Sequence, residues 1–286
     1  MAKYHILTDT ASDIPKDLVK EYDIRILPMC VIHKTTSFLE GVDLDLPKLD
    51  SLIKETGELS KTAATSPQTF KEVFEAYPED EIVIFTGIGS GFSASHNNAV
   101  EASKNMKNVY VIDSQTLSSG IAVFVLNIAK WVKEGKEIDE ILTLASDLRE
   151  RLMVFFALDT LEYMAKGGRC SSLQKFAATL LKIHPIIRVK DNRAGVGQKP
   201  RGKYEKAVEI MNQMFKDDLD NNNVDPAFAF VTTTLGYNDQ EVMYNFAKPL
   251  SKNVNLLKGQ AGCVVYSHCG PRTTGYCYAV NKVNEK

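Results

Sequence analysis

The chain has 286 residues, 44% of them hydrophobic and 24% charged, with a formal net charge of −2. That length holds two domains with separate cores, and that composition excludes fibrous and disordered classes. The near-neutral charge gives no global field for nucleic acid. No apolar run spans a bilayer and no charged-then-apolar leader follows Met1, so a cytoplasmic protein without membrane insertion is expected.

Tyr4-His5-Ile6-Leu7-Thr8 reads as a first strand, and Asp9 to Pro15 as the capped start of a helix over 16–22. An extended segment over 24–32 follows, so the opening is strand, helix, strand, the signature of a parallel sheet. Asp9 and Asp13, with Asp43 and Asp45, have the oxygen chemistry for Mg²⁺, but turn and capping roles are the commoner use and no metal site is assigned. A short helix falls within 41–57. A hydroxyl-rich loop over 60–67 precedes a helix over 68–77, with Ser66-Pro67 as cap and first helical position. Thr62 has no such structural task.

The run Phe85-Thr86-Gly87-Ile88-Gly89-Ser90-Gly91-Phe92-Ser93-Ala94-Ser95-His96 links a strand over 81–85 to a helix beginning near Asn97. In an open α/β sheet such a turn lies at the carboxyl edge, where backbone N–H groups and the helix dipole face a cleft suited to an anion. The glycine spacing matches neither G-x-G-x-x-G nor a P-loop. Gly91-Phe92-Ser93-Ala94-Ser95 approaches the G-x-S-x-G elbow but ends in Ser, so a nucleophilic Ser93 stays open beside a simple capping role.

A strand over 108–114 follows, then a long amphipathic helix from Ser118-Ser119-Gly120, with Trp131 as core, and a helix over 138–152. From Met153 the pattern changes. A strand over 153–158, a short helix ended by Gly167-Gly168-Arg169, and a helix over 171–182 precede a hairpin in which segments over 183–189 and 195–199 flank Asp191-Asn192-Arg193-Ala194. His184 beside Pro185 reads as a core histidine. A helix over 201–218 and strands over 227–232 and 262–266 flank a helix near 240–250, and a closing hairpin turns at His268-Cys269-Gly270-Pro271. His268, at a strand end in that turn, has the position of a cleft-facing residue. It is not expected to pair with Cys269, since neighbours in an extended chain point to opposite faces. The five cysteines, Cys30, Cys170, Cys263, Cys269 and Cys277, form no C-x-x-C pair and read as reduced thiols.

Taken in order, Thr8 to Pro15, Thr62 to Pro67, Ser90-Gly91-Phe92-Ser93, Ile112-Asp113-Ser114, Leu158 to Arg169, Lys199-Pro200-Arg201-Gly202 and Ser267-His268-Cys269-Gly270-Pro271 resemble the DegV family of bacterial fatty-acid-binding proteins over essentially the whole chain. The resemblance implies an α/β protein of two domains: a parallel, Rossmann-like one over 1–152 and a second with a mixed or antiparallel sheet over 153–286. It also implies a tunnel between them that holds a long-chain fatty acid. The carboxylate would be held by Thr62 and Ser93, with His268 nearby and Arg169 lending positive potential. Arg201, in a basic cluster with Lys199, Lys203 and Lys206, would face a separate ATP-binding kinase subunit that forms an acyl phosphate. The implied protein is a carrier with no catalysis, metal or cofactor of its own, and nothing requires more than a monomer. The alternative is a serine esterase using Ser93 and His268. Ala63-Ala64-Thr65, Ala94-Ser95-His96 and Arg272 depart from the family pattern, and Arg272 is expected to place a charge near the head group or on its rim.

Overall fold

The structure, a computed structural model, describes residues 3–169 and 183–282. The helix expected over 171–182 and Cys170 lie outside the described residues.

The chain begins with β1 (Tyr4–Asp9), a single 3-10 turn, α1 (Lys16–Glu21) and β2 (Ile24–Leu27). The segment expected as one strand over 24–32 is two. Pro28 has no N–H for a ladder, and beyond it the chain leaves the parallel sheet as β3 (Cys30–His33) and β4 (Thr36–Leu39). Asp45 caps α2 (Leu46–Thr56) by accepting from Lys48 N. The loop expected over 60–67 contains a short strand, β5 (Lys61–Ala63), which pairs with β3 so that Thr62 lies opposite Val31. Ser66 then caps α3 (Pro67–Phe74) as expected, accepting from Thr69 N.

Next come β6 (Ile82–Phe85), α4 (Ser95–Ser103), β7 (Val109–Val111), α5 (Ser119–Lys133) and α6 (Ile138–Glu150). The order β2-β1-β6-β7, all parallel, makes one sheet, and β4-β3-β5, antiparallel, makes a small second one. The rest of the chain supplies β8 (Leu152–Ala157), α7 (Glu162–Gly167), β9 (Ile186–Lys190), β10 (Arg193–Val196), α8 (Glu205–Asp220), β11 (Val224–Thr233), α9 (Asp239–Ala247), β12 (Leu256–Gln260), α10 (Cys263–Cys269) and β13 (Thr274–Val280). Its strands form a mixed sheet in the order β10-β9-β8-β13-β11-β12, in which only β11 and β12 run parallel.

The fold is therefore α/β with a parallel and a mixed sheet, and α5 joins them. Eleven of its residues are buried, because it packs on β1 with one side and on β11 and β13 with another. A helix buried on both sides loses the polar stripe that would mark it as a surface helix. Trp131 is half-buried against the same core. Among the described residues no helix is long and apolar enough to cross a membrane.

One correction bears directly on the site. Residues 262–266, expected as a strand, open α10, and the strand expected there lies earlier, as β12. Val264-Val265-Tyr266 is a short apolar run buried all round, and periodicity does not separate helix from strand in such a run. Tertiary contacts decide it. Gly262 N donates to Asp13 Oδ1 at 2.8 Å and Cys263 N to Glu40 Oε1. Two carboxylates thus take donors that helix formation leaves free. The closing hairpin is accordingly a helix followed by a strand.

Candidate ligand-binding site

The glycine-rich turn between β6 and α4 is braced from all sides. Ile88 N donates to Asp9 Oδ2 at 2.9 Å, Ser114 Oγ to Gly87 O at 2.7 Å, and Ser90 N to Asp113 Oδ1 at 3.0 Å. Ser93 Oγ lies 3.0 Å from Ser95 Oγ and accepts from Ser95 N at 3.2 Å. Ser95 Oγ in turn accepts from Thr65 N, while Asn98 Nδ2 donates to Thr65 O. The first turn of α4 therefore ties the serine turn to the loop that follows Thr62.

Thr62 reaches the same place from β5. Its Oγ1 is 2.8 Å from Nε2 of His268, in the last turn of α10. The second ring nitrogen, Nδ1, is buried and has no hydrogen-bond partner among the described residues. Burial, and then the positive charge of Arg169, hold the His268 imidazole down to about 4, so the ring is neutral at ordinary pH. Exposed Arg169 follows α7, its guanidinium donating to Gly167 O.

Thr62, Ser93, Arg169 and His268 line one chamber of about 170 Å³, whose remaining wall includes Met29, Phe92, Met164 and Val265. An outer cavity of about 510 Å³ shares Thr62, Arg169 and His268 with it and adds Lys61 and Lys166. On the inner side, Leu117, Val265 and Cys269 also border a third cavity of about 30 Å³, whose wall is almost wholly apolar. That wall contains Ser118 and a series of threonines, yet their hydroxyls are engaged elsewhere. Ser118 Oγ donates to Asp13, Thr232 Oγ1 to Ser119 Oγ at 2.6 Å, and Thr234 Oγ1 to Gly270 O at 2.8 Å. Satisfied hydroxyls leave only carbon to face the space. The arrangement runs from a cationic mouth, through a chamber with two hydroxyls and a neutral imidazole, to a dry apolar end. Such a site suits an amphiphile with a small anionic head.

The structure thus brings together all four residues expected at the head group. Arg201 is not among them. It is exposed ahead of α8, with Lys199, Lys203 and Lys206 also exposed nearby in the chain. Arg272 corrects the expectation of a charge at the head group. Its guanidinium lies over the rings of Tyr204 and Tyr237, 4.4 and 4.5 Å from their centroids, and pairs with Asp239 and Glu205, both at 2.8 Å. It does not line the chamber. Cys269 corrects the opposite-faces argument, since on a helix it reaches the same chamber as His268. His184 is half-buried at the end of a bridge rather than inside a strand, edge-on to Tyr204.

The same geometry does not assemble a hydrolytic triad. His268 Nε2 faces Thr62 rather than Ser93, and among the described residues no carboxylate accepts from Nδ1. The aspartates weighed as a metal site have other partners. Asp43 accepts from Leu39 N, Asp45 caps α2, and Asp9 and Asp13 accept from backbone N–H groups. Among the described residues no group of side chains is arranged to hold a metal ion. Asp9, Asp13 and Glu40 are buried close to one another, and burial raises all three carboxyls, Asp9 to about 7. No sequence signal marked Lys61, Met164 or the hairpin tip as neighbours of the site.

Residues 3–281 match the family model described as "Uncharacterised protein, DegV family". The chain belongs to the DegV family. A DegV domain-containing protein of Caldanaerobacter subterraneus subsp. tengcongensis is 30% identical over 282 residues, covering 96% of this chain and 98% of its own. Among solved structures, a DegV family protein from Thermus thermophilus, described for its fatty acid binding, superposes with a TM-score of 0.88. It is 26% identical and covers 97% of this chain and 99% of its own. A stearic acid-binding protein from Eubacterium ventriosum gives 0.84 at 25% identity, over 98% of both chains. The two-domain α/β architecture is shared with these DegV structures.

Proposed function

We propose that this DegV protein binds a long-chain fatty acid and presents its carboxylate to a separate kinase subunit, without catalysis of its own. One observation carries the reading: Thr62, Ser93, His268 and Arg169 line a single chamber that adjoins an apolar cavity. The fatty-acid binding of the Thermus and Eubacterium relatives supports it. The Thr62 hydroxyl, accepting from Nε2 of the neutral His268 ring, and the Ser93 hydroxyl donate to the carboxylate, and Arg169 supplies positive potential from the rim. A buried carboxylate held by neutral donors needs no full counter-charge beside it. The acyl chain passes Leu117, Val265 and Cys269, where each buried methylene contributes about 0.8 kcal/mol. Tail burial then dominates affinity, and the head group sets orientation.

The parallel sheet and the mixed sheet correspond in this reading to two domains, 1–152 and 153–286, with the acyl chain between them. Arg201 and the lysines around it form the docking face for the kinase subunit, which brings the ATP. Native mass spectrometry of the purified protein, with solvent extraction of what it carries, tests the binding half. The wild type should carry a fatty acid that Thr62→Ala with Ser93→Ala depletes. A wild type that neither carries nor takes up fatty acid overturns the proposal. The kinase half is tested by fatty-acid-dependent ATP turnover with a DegV-coupled kinase subunit, which Arg201→Ala should abolish while leaving lipid binding intact.

A further inference from the structure

The hairpin of β9 and β10 turns through two residues, Asp191 and Asn192, both in the left-handed region at φ 51° and 59°. A two-residue turn with both φ positive matches the twist of the flanking strands and fixes where its tip points. The tip here meets the glycine turn of the other sheet. Asn192 Nδ2 donates to Ser90 Oγ at 2.7 Å, and Asn192 Oδ1 accepts from Gly91 N at 2.9 Å. Ser90 Oγ donates in turn to Asp113 Oδ2 at 2.5 Å, so the three side chains form one directed chain of hydrogen bonds. The approach leaves no room for a side chain at position 91. A Cβ there would lie 1.8 Å from Asn192 O.

Two residues beyond Asn192, Ala194 is buried in the wall of the head-group chamber, and two residues beyond Gly91, Ser93 lines it. One side chain thus bridges the two segments that bring Ala194 and Ser93 to the chamber. Behind the tip lies a polar cavity of about 90 Å³, bordered by Asp191 and Asn192 on one side and by Ser114, Thr116 and Arg149 on the other. At the tip the junction is therefore made by hydrogen bonds beside a polar cavity. Such a junction is held chiefly by the side chain that makes those bonds.

We infer that Asn192 is a positioning residue for the head-group site: by clasping Ser90 and Gly91 it holds Ser93 in place against the ligand carboxylate and so sets how long the ligand stays. The inference rests on the fatty-acid reading above. Asn192→Gly removes the amide while keeping the left-handed turn, and Ser90→Ala breaks the clasp from the other side without touching the hairpin.

Two readouts separate the outcomes. Amide hydrogen exchange of the ligand-free protein reports on the clasp itself, and exchange over 89–93 should be faster in Asn192→Gly. Stopped-flow release of a fluorescent fatty acid, compared with its methyl ester, reports on the consequence. Acid release should be roughly tenfold faster in either variant, with ester release changed little, because the loss of one satisfied polar contact is of that size. Unchanged exchange overturns the clasp. Faster exchange with unchanged acid release, or with acid and ester accelerated equally, overturns the positioning role and leaves fatty-acid binding standing. A wild type that takes up neither probe removes the fatty-acid reading and this inference with it, while the exchange data still show whether the clasp exists.

Discussion

Thr62 Oγ1 and His268 Nε2 lie 2.8 Å apart, although 206 residues of chain separate them. Thr62 comes from the small three-stranded sheet, and His268 from a seven-residue helix inserted between two strands of the mixed sheet. Thr62→Val keeps the shape and removes the hydroxyl, leaving the imidazole nitrogen without its partner. An unsatisfied polar group of this kind costs about 1–3 kcal/mol, so fatty-acid affinity should fall tenfold or more in a displacement titration. The methyl ester of the same acid, which depends on the tail, should bind nearly as before. Equal affinities for the acid in both proteins would remove Thr62 from the site.

Gly167 closes α7 against the other face of the same ring. A Cβ placed on it would lie 2.5 Å from His268 Nδ1. Its backbone dihedral is not in the left-handed region, so alanine suits the backbone and would ordinarily favour the helix by about 0.5–1 kcal/mol. Gly167→Ala should therefore leave the melting temperature within a few degrees while pushing the imidazole off Thr62. Affinity should drop with no loss of fold, a separation read by calorimetry and ligand titration on one preparation.

The fold was legible in the sequence where periodicity and turn chemistry agreed. The parallel strands, the capped α3 and a hairpin around Asp191-Asn192 follow from local residues, although its strands, expected over 183–189 and 195–199, are β9 and β10 joined by a two-residue turn. The single strand expected over 24–32 misses a local signal, Pro28, and elsewhere tertiary contacts override local pattern. Residues 262–266 look like a strand because Val264-Val265-Tyr266 is a short apolar run, and they open a helix because Asp13 and Glu40 receive the N–H groups of Gly262 and Cys263. The β5 strand hides in a hydroxyl-rich loop because only β3 gives it a ladder. The residues proposed to hold the head group came from family resemblance rather than spacing, since Thr62, Ser93 and His268 share no local pattern. The inner cavity was hidden altogether: much of its wall is threonine and serine, whose composition suggests polarity until their hydroxyls are seen to be bonded elsewhere.

Acidity acts on His268 and Asp9 in opposed directions. The His268 ring is held down to about 4, below its ordinary value near 6.5. Between those pH values the unfolded chain binds more protons, so the histidine lowers stability as pH falls. Burial raises Asp9 to about 7. There the folded chain binds more protons than the unfolded one, so this carboxyl lowers stability as pH rises from about 4 through 7. Asp9→Asn should gain stability over wild type as pH rises through that window, and His268→Gln should gain as pH falls from 6.5 to 4. Denaturant midpoints at pH 4.5, 6 and 8 check both signs. A difference between Asp9→Asn and wild type that stays constant with pH would contradict the first.

Arg272 has a structural task away from the ligand. Its side chain is 18% exposed and faces Asp239, which is 10% exposed, with Glu205 adding a second partner. These carboxylates hold the guanidinium well above its ordinary range. Removing one member of a partly buried pair leaves Asp239 without its main partner, at a cost of about 1–3 kcal/mol. Arg272→Ala should lower the denaturant midpoint accordingly and leave fatty-acid affinity per folded molecule unchanged. Weaker binding by folded Arg272→Ala protein would restore the residue to the head-group region.

Leu117, Val265 and Cys269 line both the chamber and the apolar cavity beside it, and Val265 is 8% exposed. In the wild type, lengthening the acyl chain past this point should improve affinity by about 0.8 kcal/mol for each methylene that becomes buried. Val265→Phe enlarges a side chain in the wall that the two cavities share, and such overpacking typically costs about 1–3 kcal/mol of stability without unfolding the protein. The decisive quantity is the slope of binding free energy against chain length, measured by titration with a series of saturated acids. Val265→Phe should bind short acids nearly as the wild type does and lose the further gain for long ones, so that its slope flattens where the wild-type slope continues. Parallel slopes in the two proteins would mean that the tail takes another route and that the inner cavity is not its destination.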